Sequence, residues 1–207
     1  TQNFALKIAS KDNENGTVIV SKKQTGGKGR MERKWFSPVG GIWMSIIIHP
    51  DFDISNTTLV PIATSLALCR AIEKTTKTKP ELKWPNDITI KGKKVAGILI
   101  DTSIVSNKIE QMVIGVGINF KINPNELVNS IKKTPNFYGV TTLTKKNETV
   151  LPLIQQFLQE LESVFRLINT RRIKKIKEEW NKRSSTIGKN ISVITDDGNL
   201  HGKAIKI

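Results

Sequence analysis

The sequence predicts an α+β domain in which helices flank a β-sheet, with a small β segment at the C-terminal end. Three observations carry this. From 81 to 120, short β-rich runs follow one another across tight turns in a meander pattern; 56–74 and 150–168 carry apolar residues at helical spacing; and 190–207 returns to strand alternation. The chain has 207 residues, 38% of them hydrophobic, which suffices to bury one good core with a small appendage, roughly 70% of the unfolded surface.

Residues 3–10 place Phe4, Ala5 and Ile8 at helical spacing, and 17–21 (Thr-Val-Ile-Val-Ser) read as a strand. A buried strand is expected over 42–49, stopped by Pro50. Over 56–74 a helix is expected, with Asn56 as cap, Pro61 near its first turn, and Leu59, Ile62, Ala63, Leu66, Ala67 and Arg70 on one face. Residues 81–84 form a short strand before Pro85. The meander follows over 87–90, 93–102 and 109–120, joined by turns at Lys91-Gly92 and Ser106-Asn107. The stripe Ile154, Phe157, Leu158, Leu161, Val164, Phe165 and Ile168 marks the helix over 150–168. A basic helix over 171–182 turns Ile173, Ile176 and Trp180 inward, and Gly188 ends it. Strands over 190–194 and 200–207 flank Asp197-Gly198, a hairpin signal. One hairpin buries no core of its own, so two units are expected: 1–187, and 188–207 as the start of a small β domain that is incomplete or packed on the main one.

The net charge is +15 with 25% charged residues, a field that speeds encounter with acidic partners such as nucleic acid or an acidic protein. That charge is spread over 22–34, 91–94, Lys132-Lys133 and 171–177, and only the last forms a dense stripe. The longest apolar run, 42–48, is interrupted by Ser45 and falls far short of the ~20 residues of a membrane span. The chain opens on Thr1, not methionine, and no secretory n-region, h-region and cleavage site precedes the first helix. Cys69 is the single cysteine, so no internal disulfide forms, and a reducing cytoplasm is expected. Its place inside a helix suits core packing better than catalysis.

The segment from Lys23 to Gly41 sets Gly26, Gly27 and Gly29 among Lys28, Arg30, Arg33 and Lys34 and continues into Trp35. Glycines let backbone N–H groups approach a ligand, the cations concentrate positive charge, and Trp35 offers a flat face for a base. That combination suits a nucleoside triphosphate or an adenylate. Taken alone, it serves equally as a solvated basic surface loop. A P-loop is excluded because Gly29, not Ser or Thr, follows Gly27-Lys28. A dinucleotide fingerprint is excluded because Glu32 stands where the third glycine belongs; Gly115-Val116-Gly117 fails the same test at Phe120.

A second motif is Lys83-Trp84-Pro85-Asn86-Asp87. Pro85 disfavours helix at Trp84, so Lys83 belongs at a strand end with a defined exit, where α/β proteins hold reactive groups; alone, the motif also fits an edge-strand lysine before a turn. Two further blocks, 94–101 (Lys-Val-Ala-Gly-Ile-Leu-Ile-Asp) and 113–119 (Val-Ile-Gly-Val-Gly-Ile-Asn), are apolar strands studded with glycine. Glycine weakens a strand unless a ligand or another backbone comes close.

In this order and spacing the four blocks resemble the catalytic domain of biotin protein ligases (biotin–[acetyl-CoA-carboxylase] ligases), from Thr1 to about Arg183, with Thr1-Gln2-Asn3 matching the family's opening Ser-Thr-Asn element. The resemblance implies a mixed β-sheet with flanking helices, the class II aminoacyl-tRNA synthetase-like fold of these ligases, and an SH3-like C-terminal β domain. It also implies the reaction: ATP activates biotin to biotinyl-5′-AMP, and a lysine of a biotin carboxyl carrier protein domain then takes the biotin. Lys83 and Arg30 match catalytic cations. Thr1, Gln2, Gln24, Lys28, Gly29, Arg30, Lys83, Gly97 and Leu99 match biotin-binding positions, and Gly27, Lys28, Arg30, Trp35, Asn86, Lys94 and Asn119 match ATP-binding positions. Mg2+ is implied on the phosphates with no ligands identified, and so is a homodimer. No specific DNA binding and no membrane partner are expected of this chain. It departs from the family's loop at Lys28 for Arg, Met31 for Arg and Glu32 for Gly; the first keeps charge but loses a bidentate fork.

Lipoate ligases and octanoyltransferases share the implied fold. The latter need a cysteine near Lys-x-x-Gly, a place Cys69 does not occupy. A basic nucleic-acid-binding module using 171–177 is the reading from another class.

Overall fold

Every residue of the strand Ile42–Ile48 is buried, although a strand alternates its side chains between two faces, so both faces of the sheet are covered where it runs. The computed structural model describes residues 1–9, 15–131, 138–144, 148–195 and 198–207. Among them the elements are α1 (Gln2–Ala9), β1 (Val18–Ser21), β2 (Ile42–Ile48), a 3-10 turn (Ile54–Asn56), α2 (Leu59–Thr76), β3 (Glu81–Lys83), β4 (Asp87–Ile90), β5 (Lys93–Val105), β6 (Lys108–Ile118), α3 (Pro124–Ile131), α4 (Leu151–Asn169), α5 (Ile173–Arg183), β7 (Asn190–Thr195) and β8 (Gly198–Lys203). Ser10, Lys132-Lys133 and Asp197, which figure in the sequence expectations, lie outside the described residues.

The sheet has six strands in the order β1-β2-β6-β5-β4-β3, and β7 and β8 pair separately. Its ladders are all antiparallel. The parallel component expected of a mixed sheet is therefore confined to isolated bridges, Leu82 with Ser184 and Lys94 with Val140. The meander arises from local turn chemistry: Lys91-Gly92 and Ser106-Asn107 each put two successive residues at positive φ, the type I′ geometry that matches strand twist.

One face carries the main core. Ile42, Met44, Ile46, Ala96, Ile98, Ile114, Val116 and Ile118 pack there with α2, α4 and α5. On α4 the stripe Ile154, Phe157, Leu161, Val164 and Ile168 is buried, as its spacing predicts; on α5, Ile176 and Trp180 are buried and the Trp180 indole donates to Ser65 Oγ at 3.2 Å. On the opposite face, Ala5 and Ala9 of α1 cover Ile47 and Val113. Farther along the same face Trp43 packs with Ile122, Leu127 and Val140, and beside these covered patches the face borders a cleft.

Several boundaries differ from the sequence expectation. Asn56 does not cap α2. Asp53 captures the Ser55 N–H at 2.8 Å and starts the 3-10 turn instead, so α2 begins at Leu59. Arg171 takes φ 57°, and Arg172 N–H reaches Leu167 O, a Schellman-type stop that delays α5 to Ile173. β8 ends at Lys203; beyond it Ala204 N–H still donates to Lys189 O at 2.9 Å, and Ile207 N–H donates to Asn181 Oδ1 at 3.2 Å. The sequence reading missed α3; its signal was Asn123, whose side chain accepts from Asn125 N–H, followed by Pro124 at the first helical position and Glu126 in the first turn.

Charged side chains join the helical layer. Arg70 of α2 binds Glu179 of α5 through Nε and Nη2 and reaches Glu160 of α4 with Nη1, while Arg183 links Glu179 to Glu73. The Arg70 hydrogen bond holds the Glu179 carboxyl below the usual glutamate range. A folded-state pKa held down gives stability that is full above the unfolded value, about 4.3, and is lost as pH falls through the folded value. Urea midpoints are therefore expected to fall below that pH in the parent and less steeply in Glu179→Gln, which is less stable at neutral pH. Parallel profiles for the two proteins would count against the pairing.

Candidate active site

The open face of the sheet is flat because two neighbouring strands, β5 and β6, supply glycines. The register sets Trp43, Gly117, Gly97, Asp87 and Lys83 in one row across β2, β6, β5, β4 and β3. Trp35 lies over the two central positions: a Cβ at Gly117 would stand 2.7 Å from Trp35 Nε1, and one at Gly97 3.0 Å from its Cζ3. The Lys94 ammonium is 4.9 Å from a ring centroid of Trp35. Above this floor opens a cleft of about 900 Å³, within the size range of small-molecule sites.

One end of the cleft is polar and tightly bonded. Gln2 donates to Asp101 Oδ2 at 2.7 Å and Val113 O at 3.1 Å, and accepts from Ser45 Oγ at 2.9 Å. Ser45 Oγ also lies 2.8 Å from Thr1 Oγ1. The Thr1 hydroxyl and backbone nitrogen donate to Gln24 Oε1 at 3.1 and 2.7 Å, and Gln24 Nε2 donates to Ser37 Oγ at 2.9 Å. Gly115 makes room for this group, since a Cβ there would stand 2.5 Å from Gln2 Oε1.

The glycine loop folds as a narrow hairpin. Lys28 and Lys34 pair, Trp35 N–H donates to Gly27 O, and Gly29 N–H donates to Arg33 O at 2.7 Å. At its tip Met31 and Glu32 adopt φ 54° and 56°, and Arg33 N–H closes the turn on Arg30 O. The family's glycine is absent at Glu32, yet the turn is made. Lys28, Arg30, Arg33 and Lys34 line the cleft from this hairpin.

Across from it, Lys83 sits at the end of β3, as its motif predicts. Burial pushes its ammonium below the usual lysine range, opposed by the Asp87 charge, and nearby Lys94 and Lys189 push it the same way as burial. Lys94 Nζ is 2.5 Å from Asp87 Oδ1. The Tyr138 hydroxyl donates to Asp87 Oδ2 at 2.6 Å, and the Lys83 ammonium rests 2.9 Å from the Tyr138 ring centroid. Asn86 braces the motif by donating to Ile98 O at 2.7 Å, and Asn119 donates to Thr141 O at 3.3 Å.

Thr1, Gln2, Gln24, Lys28, Gly29 and Arg30 thus share the cleft wall with Trp35, Lys83, Asn86, Lys94, Gly97, Leu99 and Asn119. Gly27 is not on that wall. It packs under the loop, where a Cβ would stand 2.3 Å from Trp35 O. The sequence reading missed Tyr138 and Lys189. Tyr138 lies outside the four motif blocks, and its being the one tyrosine was the only available signal. Lys189 precedes β7, whose residues 190–194 also border the cleft.

A model of the Biotin/lipoate A/B protein ligase family matches residues 1–119. Over 208 residues the chain is 33% identical to the bifunctional ligase/repressor BirA of Bacillus subtilis, covering 100% of this chain and 63% of that protein. The chain thus spans less than two thirds of that relative's length. It is 26% identical over 190 residues to the biotin–[acetyl-CoA-carboxylase] ligase of Paracoccus denitrificans, covering 89% of this chain and 77% of that protein. Among solved structures, the biotin protein ligase from Aquifex aeolicus in complex with biotin and ATP matches with a TM-score of 0.82 at 26% identity, over 100% of this chain and 83% of that one. The α+β architecture is the fold of that ligase. With more than half of its length matched by the family model, and with the motif residues gathered on one cleft, the chain belongs to the biotin/lipoate A/B protein ligase family.

Proposed function

We propose that this chain carries the catalytic domain of a biotin protein ligase. The observation that carries the reading is the cleft itself: a polar end built on Thr1, Gln2 and Gln24, a glycine floor under Trp35, and cations from the hairpin facing Lys83 and Lys94. In the first half-reaction a biotin carboxylate oxygen attacks the α-phosphorus of ATP, giving biotinyl-5′-AMP and pyrophosphate. In the second, the amine of an acceptor lysine attacks the acyl carbon, AMP leaves, and the amine loses a proton.

Both half-reactions need fixed charge more than a nucleophilic side chain. Two anions must approach one another while negative charge grows at phosphorus, and preorganised cations stabilise that change. Lys83 and Arg30 supply them on this reading. Thr1, Gln2 and Gln24 hold the ureido head of biotin, Gly97 and Leu99 border its ring and tail, and Trp35, Asn86, Lys94 and Asn119 surround the nucleotide. Gly27, Lys28 and Gly29 shape the hairpin that shields the adenylate from water. Magnesium, when bound, would be held by the nucleotide phosphates and would offset their negative charge. Among the described residues no three His, Cys, Asp or Glu side chains converge on one point, so they do not fit a protein-only metal cage.

The carrier is a biotin carboxyl carrier protein domain, the working form a homodimer in the cytoplasm, and 188–207 the start of a second, SH3-like unit. No specific DNA recognition is assigned to these residues. No described helix is long and apolar enough to cross a membrane. An acyltransferase using Cys69 is disfavoured, because the thiol is fully buried in α2 and burial raises its pKa far above the ordinary value. Biotin-dependent exchange of labelled pyrophosphate into ATP tests the reading. Exchange with lipoate and not with biotin would replace it by the lipoate reading. Arg30→Gly is expected to release biotinyl-AMP about tenfold faster, the loss of one hydrogen bond to a charged group, as read by chromatography without acceptor. Unchanged release would remove Arg30 from the adenylate.

A further inference from the structure

Asp87 stands directly opposite Lys83 in the β3–β4 register, an arrangement that invites the ammonium to fold onto the carboxylate. Such a pair would tie up the donors that an anionic ligand needs. It does not form, because both carboxylate oxygens are taken: Oδ1 by the Lys94 ammonium at 2.5 Å and Oδ2 by the Tyr138 hydroxyl at 2.6 Å. Lys83 instead lies 2.9 Å from the centroid of the Tyr138 ring. A cation–π contact holds the ammonium in place through the ring face while leaving the N–H donors that point away from the ring available. The hydroxyl's donation to a carboxylate also enriches the ring in electron density, which strengthens its hold on the cation.

We propose that Tyr138 is a positioning residue: its hydroxyl occupies Asp87 and its ring carries Lys83, keeping that lysine aimed into the cleft as a free donor to an anion. The proposal deepens the reading of the same site as an adenylate-forming one and rests on it for the identity of the anion. The contacts themselves are independent of that identity. Burial already destabilises the charged Lys83, and the groups around it are Asp87 on β4, Lys94 on β5, Lys189 before β7, and Tyr138. Losing the hydroxyl leaves Asp87 Oδ2 open, and Lys83 is the nearest cation in register to take it.

Competitive acetylation of the unliganded protein, read by peptide mass spectrometry, tests this without any assumption about the reaction. In Tyr138→Phe the ring remains and the hydroxyl is gone, so Lys83 should pair with Asp87 and label about tenfold more slowly than in the parent, relative to the exposed Lys91; an added ion pair stabilises the charged form by about one pKa unit. Adding Asp87→Asn to Tyr138→Phe removes the capturing charge and should restore the Lys83 rate. A Lys83 rate unchanged in Tyr138→Phe, or a slowed rate that Asp87→Asn leaves slow, overturns the proposal. Pyrophosphate exchange is then measured separately. A parent protein with no exchange but the expected labelling pattern would overturn the assigned reaction and leave the role of Tyr138 standing.

Discussion

Lys83→Ala is expected to reduce biotin-dependent pyrophosphate exchange by about 100- to 1,000-fold, the usual consequence of removing one preorganised group from a transition state that gathers charge. The fold should survive, for reasons visible in β3. Leu82, not Lys83, anchors that short strand: it is fully buried and its carbonyl accepts Ser185 N–H at 2.8 Å. The Lys83 side chain points into the cleft and fills no core space. Its loss removes a contact with the Tyr138 ring, worth about 1 kcal/mol at a partly exposed site, so the urea midpoint should shift little. Activity and stability therefore separate in this variant. Exchange within a few-fold of the parent would remove Lys83 from the chemistry, and a collapsed urea midpoint would show that its role is structural.

The parts of the molecule legible in the sequence are those fixed by local rules. The stripe from Ile154 to Ile168 dictates a helix whose buried face is the observed one, and Lys91-Gly92 and Ser106-Asn107 dictate the turns that join β4, β5 and β6. The row through Lys83, Asp87, Gly97 and Gly117 needs more than those turns: the register slips by one residue at Ile88/Thr89 and again at Ser103/Ile104, irregularities that no local pattern announces. The hairpin at Met31-Glu32 was harder to read. Its turn puts two residues that are not glycine at positive φ, an arrangement that costs local strain and that no short pattern announces. Tyr138 was not legible at all. Its contacts to Asp87 and Lys83 join residues more than 50 positions apart, and only the folded sheet brings them together.

The glycine floor leads to the second large effect. Gly117 is clamped on both sides, paired with Trp43 in β2 and with Gly97 in β5, so its backbone has nowhere to retreat. A Cβ there would stand 2.7, 2.8 and 3.0 Å from three atoms of the Trp35 ring, distances that real contacts do not sustain. Valine suits a strand better than glycine does, so Gly117→Val is expected to leave the sheet intact and to expel the indole. With Trp35 facing adenine on the proposed reading, the lost stacking of about 1–3 kcal/mol corresponds to an ATP KM raised roughly 5- to 150-fold, with biotin affinity much less affected. The mechanism is checked by a double-mutant cycle. If the valine acts by displacing Trp35, it adds little to the ATP defect of Trp35→Ala, because the ring it would push away is already gone. Full additivity of the two effects, or a normal ATP KM in Gly117→Val, would mean that the open floor beneath Trp35 does not serve the nucleotide.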